Sequence, residues 1–366
     1  YAERATSRRA ATQALLVTTA GGLAMLVGMI ILGQVGGSYN LSELVANPPT
    51  GWLPSVAIVL ILIGALSKSA IVPLHFWLPG AMAAPTPVSG YLHAAAMVKA
   101  GIYLVARLAP GYADSPPWRI TIISLGLLSM ILAGWRAMRA YDLKLVLAFG
   151  TVSQLGFMMV LVGIGTRDAA LAGMTMVVAH AMFKAALFMV VGIIDHTTGT
   201  RDLRKLAHLG KAAPALAIIA SLAAASMAGL PPLLGFVGKE AALESVLETN
   251  ALGHWSSIAV VTVIVLGSIL TVGYSVRFIW GAFGRKTLSK PSPAVSKMHK
   301  PGWLFLFAPG LLAVLGLARH ALPPLLMRFL APPVAAFVVR LVPLAVVLAA
   351  TLLVVELDLD HAQGVA

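Results

Sequence analysis

The sequence predicts an all-α, polytopic membrane helix bundle of about ten spans, built as inverted repeats with two discontinuous helices. Three observations predict it. Of the 366 residues, 59% are hydrophobic and only 11% charged, whereas about a quarter of a soluble domain is charged, and the mean hydropathy is +0.91. Apolar runs of about 20 residues, the length a helix needs to cross a hydrocarbon core of about 30 Å, recur along the whole chain. Two of these runs are interrupted by proline and carry a lysine near the interruption.

The first span, near 12–35, follows Arg4, Arg8 and Arg9. The second, 53–82, is apolar from Ser55 to Leu66, then carries Lys68 and breaks at Pro73. The third, 86–108, opens with Pro87, which suits a helix start, and the fourth is 119–135. The fifth, 145–165, begins at Lys144 beside Asp142, and the sixth is 169–194. The seventh, 214–247, breaks at Leu230-Pro231-Pro232 and carries Lys239 beyond the break; 255–283, 303–319 and 333–355 complete the set.

Loop charge tests this division, because cytoplasmic loops concentrate Lys and Arg. If each broken run counts as one crossing, alternate boundaries fall on the basic groups Arg4/Arg8/Arg9, Arg136/Arg139/Lys144, Arg201/Arg204/Lys205/Lys211 and Arg285/Lys286/Lys290/Lys297/Lys300. The opposite loops Gly36–Trp52 and Thr249–Trp255 contain none. Both ends of the chain are therefore expected on the cytoplasmic side, and the two broken spans run antiparallel. Oppositely directed, Gly/Pro-interrupted spans point to inverted repeats with an ion handled near the breaks; the alternative is a pair of ordinary kinks in crowded helices.

Charge inside the membrane is costly and faces a bundle interior or a wet cavity, so Lys68 and Lys239 are functional candidates. His93 and Lys99 share the third span, six residues apart and so on different faces, though adjacent walls of one channel remain open to them. For His93, a structural hydrogen bond and a role in proton relay are both open. His180 and Lys184 stand four apart on one helix face. An amine held out of water exchanges its proton more readily, which makes hopping between them feasible. Lys144 is either a further member of this row or the end of a cytoplasmic loop paired with Asp142. Glu240 directly follows Lys239 and cannot point the same way. Ser153 and Gln154 are read as hydrogen bonds between helices, Met174, Met176, Met182 and Met189 as packing, and Asp195, His196 and Asp202 as a solvated turn.

Other classes are excluded by composition. With no cysteine, there is no disulfide, thiolate nucleophile or Cys-ligated metal. The formal charge of +13 lies in short loops and reads as topology, not nucleic-acid binding. No glycine-rich nucleotide loop and no metal-spaced His/Asp/Glu cluster is present, so no cofactor and no metal are expected. The chain opens on Tyr1 without a signal-peptide cleavage pattern and shows no C-terminal anchor or retention signal, and it reads as part of a longer polypeptide.

The stretch Ser67-Lys-Ser-Ala-Ile-Val-Pro-Leu-His-Phe-Trp-Leu-Pro-Gly-Ala-Met-Ala-Ala-Pro-Thr-Pro-Val-Ser resembles the signature of the antiporter-like subunits shared by respiratory complex I and Mrp cation/proton antiporters. The likeness continues through Asp142-Leu-Lys, Thr151-Val-Ser-Gln-Leu-Gly, His180-Ala-Met-Phe-Lys-Ala-Ala-Leu-Phe and Leu230-Pro-Pro-Leu-Leu-Gly-Phe-Val-Gly-Lys-Glu, over about residues 10 to 285. Gly80, where complex I relatives usually carry an acidic residue, and the run from Gly192 to Asp202 are most similar to the large A-type subunit of Mrp antiporters.

The resemblance implies two inverted five-helix repeats. Residues 1–110 would be the C-terminal part of the first, 111–285 the second, and 286–366 additional transmembrane helices. It also implies a proton path through Lys68, His93, Lys99, Lys144, His180, Lys184 and Lys239, with helix breaks at Pro73, Pro231 and Pro232. The function implied is that of a secondary ion transporter subunit, not an enzyme, in a bacterial inner membrane. Its partners would be other membrane subunits of a hetero-oligomeric complex, protons, Na⁺ and lipid. The alternatives are membership of complex I or a membrane-bound hydrogenase, and a non-conducting scaffold. The family pairs its first broken-helix lysine with an earlier glutamate that nothing here matches, and the long C-terminal extension of the A-type relatives is missing too.

Overall fold

A computed structural model describes residues 4–249, 251–284 and 291–317, apart from the side chains of Pro87 and Ala95. The helices in chain order are α1 (Ala5–Gly36), α2 (Leu41–Ala46), α3 (Trp52–Lys68), α4 (Trp77–Gly80), α5 (Thr86–Gly90), α6 (Lys99–Tyr112), α7 (Pro116–Arg139) and α8 (Leu143–Gly163). They continue with α9 (Arg167–Thr198), α10 (Leu209–Ala212), α11 (Pro214–Ala228), α12 (Leu234–Glu248), α13 (His254–Phe283), α14 (Pro293–Ser296) and α15 (Trp303–Leu315). Among the described residues the extended structure is one isolated bridge, Asp142 to Asp202. Among the described residues six stretches are long and apolar enough to cross a membrane, and Trp52–Lys68, Pro214–Ala228 and Trp303–Leu315 are shorter apolar helices. Nine of the ten expected spans thus correspond to helices, whereas 333–355 lies outside the described residues.

Helices α8 and α9 form the inner layer. Helix α9 packs against α5, α8, α11, α12 and α15, while α7 joins α8 to α13 and α1 lies along α3. The outer faces are apolar: Leu15, Leu23 and Leu26 of α1 and Val265, Ile269 and Trp280 of α13 are exposed, as lipid or partner subunits require. Close approach of α1 and α3 depends on glycine, because a Cβ at Gly28 would stand 2.6 Å from the Ala57 carbonyl oxygen. Small residues at helix crossings serve this purpose where no hydrophobic drive exists between helices.

Both broken helices stop in the same way. In α3, Ala70 takes φ 51, and the Ile71 amide donates to the Leu66 carbonyl at 3.0 Å. In α11, Gly229 takes φ 85, and the Leu230 amide donates to the Ala225 carbonyl at 3.0 Å. Each is a Schellman stop, with a left-handed residue closing the last turn. One residue spacing relates Ser67 to Ser226, Ala70 to Gly229 and Pro73 to Pro232, and both breaks carry a cis prolyl bond, Val72–Pro73 and Pro231–Pro232. Serine hydroxyls serve the freed amides: Val72 donates to Ser129 Oγ on α7 at 2.9 Å, and Gly235 to Ser226 Oγ at 3.4 Å. Such substitutes are what allow a helix to open inside a membrane. The lysines differ in placement, since Lys68 ends the helix before its break and Lys239 follows its own.

The span expected to run unbroken over 86–108 is interrupted as well. A π-helical turn occupies Tyr91–Ala95, and Ala96 leaves helical geometry at φ −120, ψ −70 before α6 restarts at Lys99. The turn inserts an extra residue without needing proline, and π turns favour functional sites. His93 lies inside it.

Candidate functional site

Lys144 is not the end of a solvated loop. Asp142 is used as the N-cap of α8, accepting from the Lys144 and Leu145 amides at 2.7 and 3.3 Å, and its other oxygen lies 3.3 Å from Arg201 Nε. The Lys144 side chain turns inward to 1% exposure, and its Nζ donates to the Ala84 carbonyl at 3.0 Å. That carbonyl lies just beyond a short 3₁₀ turn, Ala81–Ala83, at the far end of the first broken helix. The loop is tied down from outside: Leu143 donates to Arg201 O at 3.0 Å, and Leu203 to Tyr141 O at 2.9 Å. The Arg204 and Arg277 guanidiniums lie 4.7 and 5.0 Å from the centroid of the Tyr141 ring. In the same turn the Arg204 guanidinium holds the Asp202 carboxyl down to about 2.

His180 and Lys184 are fully buried one turn apart on α9. Lys184 Nζ donates to the Leu147 carbonyl at 3.0 Å, an oxygen that also accepts from Thr151 Oγ1 at 2.8 Å. Both His180 ring nitrogens and the Lys99 Nζ are buried without a protein partner among the described residues. His93 bonds the Ser89 carbonyl through Nδ1 at 2.8 Å. A carbonyl only accepts, so this bond calls for the proton on Nδ1 in the neutral ring, and the Leu78 backbone is a second group acting on the same ring. His180 lies within the fields of Lys99 and Lys184, and His93 within those of Lys144 and Lys184. The order Lys99, His180, Lys184, His93, Lys144 follows. Like charges that share a field away from bulk water repel, so linked members of the row disfavour simultaneous charge.

Lys239 reaches back across its own break, and its Nζ donates to the Ala228 carbonyl at 2.8 Å. The adjacent Glu240 is exposed. Lys68 is half-buried with no hydrogen bond or ion pair among the described residues, and its stem passes Gly22 of α1. No Asp or Glu is buried among the described residues. The ammonium groups that bond at all therefore do so to backbone carbonyls, which accept from charged and neutral amines alike.

Ser153 and Gln154 bridge helices as their place in an apolar span suggests, the first to the Met130 carbonyl at 2.8 Å and the second to Thr271 Oγ1 and Tyr274 OH at 3.1 and 3.3 Å. Their partners Thr271 and Tyr274 are not singled out by the sequence, where they read as part of an apolar span, although their spacing of three places both on one face of α13. Among the described residues no group of three or more His, Asp or Glu side chains could hold a metal.

A family model described as NADH:quinone oxidoreductase/Mrp antiporter, TM, matches residues 1–271. The A1 subunit of a Na(+)/H(+) antiporter from Staphylococcus haemolyticus is 41% identical over 353 residues, which cover 91% of this chain and 44% of the relative. A second relative from the same organism, a putative antiporter subunit named mnhA2, is 42% identical over 329 residues, covering 82% of this chain and 40% of that protein. Among solved structures, the Mrp complex from Dietzia sp. DQ12-45-1b is similar with a TM-score of 0.78 and 38% identity, over 97% of this chain and 40% of that one. The chain spans less than half the length of the curated relatives it matches.

Proposed function

Because this chain belongs to the NADH:quinone oxidoreductase/Mrp antiporter transmembrane family, we propose that it forms the proton-conducting part of a membrane subunit in a multisubunit Na⁺/H⁺ antiporter of the bacterial plasma membrane. One observation carries the reading: a row of buried lysines and histidines without any buried carboxylate among the described residues. In such a row a proton entering at one amine raises the cost of charge on the next and drives it onward. The neutral His93 ring is a proton acceptor, and His180 has two free nitrogens with which to accept from one side and donate to the other. Lys144, Lys184 and Lys239 can lose a proton without losing their carbonyl bonds. The shared stops of the two broken helices support residues 1–110 and 111–285 as parts of two inverted repeats, with Lys68 and Lys239 at the two ends of the path.

Na⁺ as the exchanged ion, and partner subunits that complete the complex, rest on the names of the relatives. The experiment replaces Lys68 or Lys239 by Ala in the complete subunit, expressed with its neighbouring genes in an antiporter-deficient bacterium. Na⁺-driven proton movement in everted vesicles should be lost while the complex still assembles. Wild-type exchange in both variants would refute the relay and leave a scaffold. Proton movement that follows electron donors instead of Na⁺ would assign the chain to a redox-driven pump.

A further inference from the structure

Tyr274 of α13 is fully buried, and its ring presents its face to Lys184 Nζ, 5.9 Å from the centroid. The meeting depends on Gly150, which stands between them. A Cβ there would lie 3.0 Å from Lys184 Nζ and 3.0 Å from Tyr274 Cε2, so any other residue would part the two groups. The ring is itself held. Its hydroxyl donates to Thr271 Oγ1 at 3.3 Å and accepts from Gln154 Nε2 at 3.3 Å, and Gln154 Nε2 also reaches Thr271 Oγ1 at 3.1 Å.

Among the described residues, the titratable groups that share a field with Lys184 are the potential cations His180 and His93, and α13 presents the neutral phenol of Tyr274. His180 lies on its own helix and His93, with Tyr91, on the π turn; of the other elements packed against α9, α8 carries Lys144, α12 carries Lys239 and the exposed Glu240, Glu244 and Glu248, and α5, α11 and α15 carry no titratable residue. An aromatic face attracts an ammonium and not a neutral amine, and it neither gives nor takes a proton at working pH. We propose that Tyr274 is a positioning residue for Lys184, holding its charged form against the Leu147 carbonyl so that the amine alternates between protonated and neutral instead of remaining neutral among its cationic neighbours. The inference rests on the relay described above, and Gly150, Gln154 and Thr271 are the parts that set the ring.

The test is the pH profile of Na⁺-driven proton movement by the complete complex, for Tyr274→Leu, Tyr274→Phe, Gly150→Ala and Lys184→Ala. Losing the ring face should move the alkaline midpoint to lower pH by about half to one unit. Tyr274→Phe, which keeps the face, should stay near the wild-type midpoint, whereas Gly150→Ala should shift like Tyr274→Leu by parting the amine from an intact tyrosine. Should Tyr274→Leu fail to assemble, the comparison of Gly150→Ala with Tyr274→Phe decides alone. An unshifted midpoint in Gly150→Ala, or a Phe variant that shifts as far as Leu, overturns the proposal. Lys184→Ala separates the two levels: full transport there refutes the relay itself, while lost transport beside unshifted ring variants refutes only the role of Tyr274.

Discussion

Gly229 joins backbone conformation to the position of Lys239, and its replacement by alanine measures both. The residue sits at φ +85, and an alanine Cβ would stand 2.7 Å from Lys239 Cδ and 3.3 Å from its Nζ. Left-handed backbone costs an alanine about 1–2 kcal/mol. Displacing the lysine stem also breaks the 2.8 Å bond from Nζ to the Ala228 carbonyl, and a hydrogen bond from a charged donor contributes about 1.5–3 kcal/mol. Gly229→Ala should therefore destabilise the complete subunit by about 2.5–5 kcal/mol. In a Lys239→Ala background the bond is already gone, so only the backbone cost remains. The double variant should lose less than the sum of the singles by about 1.5–3 kcal/mol. Unfolding of the four variants in lipid bicelles provides the cycle. Additivity within about 0.5 kcal/mol would show that Gly229 does not seat Lys239.

Further outcomes are expected elsewhere. Ala70 occupies the left-handed position that Gly229 fills in the second break, so Ala70→Gly should stabilise the subunit by about 0.5–1 kcal/mol, read by the same unfolding assay. Gly28→Ala brings a Cβ against the Ala57 carbonyl and should cost about 1–3 kcal/mol through forced separation of α1 and α3; tighter packing in a thermal scan would contradict this. Asp202 is held at about 2, below its ordinary 3.8, so its bond to Arg204 contributes fully above pH 3.8 and is lost as pH falls through about 2. Infrared titration of the carboxylate should show it still ionised at about pH 3, and protonation there would refute the pairing.

The breaks were legible because proline marks its own position in an apolar run, and because loop charge gives each crossing a direction. The π turn at Tyr91–Ala95 was not, since it needs no residue that is unusual in a helix. Lys144 remained open for a related reason. Asp142 beside it looks like an ion partner in one dimension, and only the cap geometry shows that carboxylate committed to the α8 amides and Arg201. His180 and Lys184 could be paired from their spacing, but the carbonyl that receives Lys184 belongs to another helix. Tyr274 was hidden because tyrosine is ordinary in membrane spans, and its meaning depends on the missing side chain at Gly150.

The most direct measurement is proton flux through proteoliposomes holding the complete complex with Lys184→Met, a change that keeps much of the side chain's bulk and removes the proton carrier. A fall of at least about 100-fold, with the assembled complex intact on size exclusion, is the predicted result. Flux equal to wild type would contradict the account, because protons would then be crossing without the amine at the centre of the row.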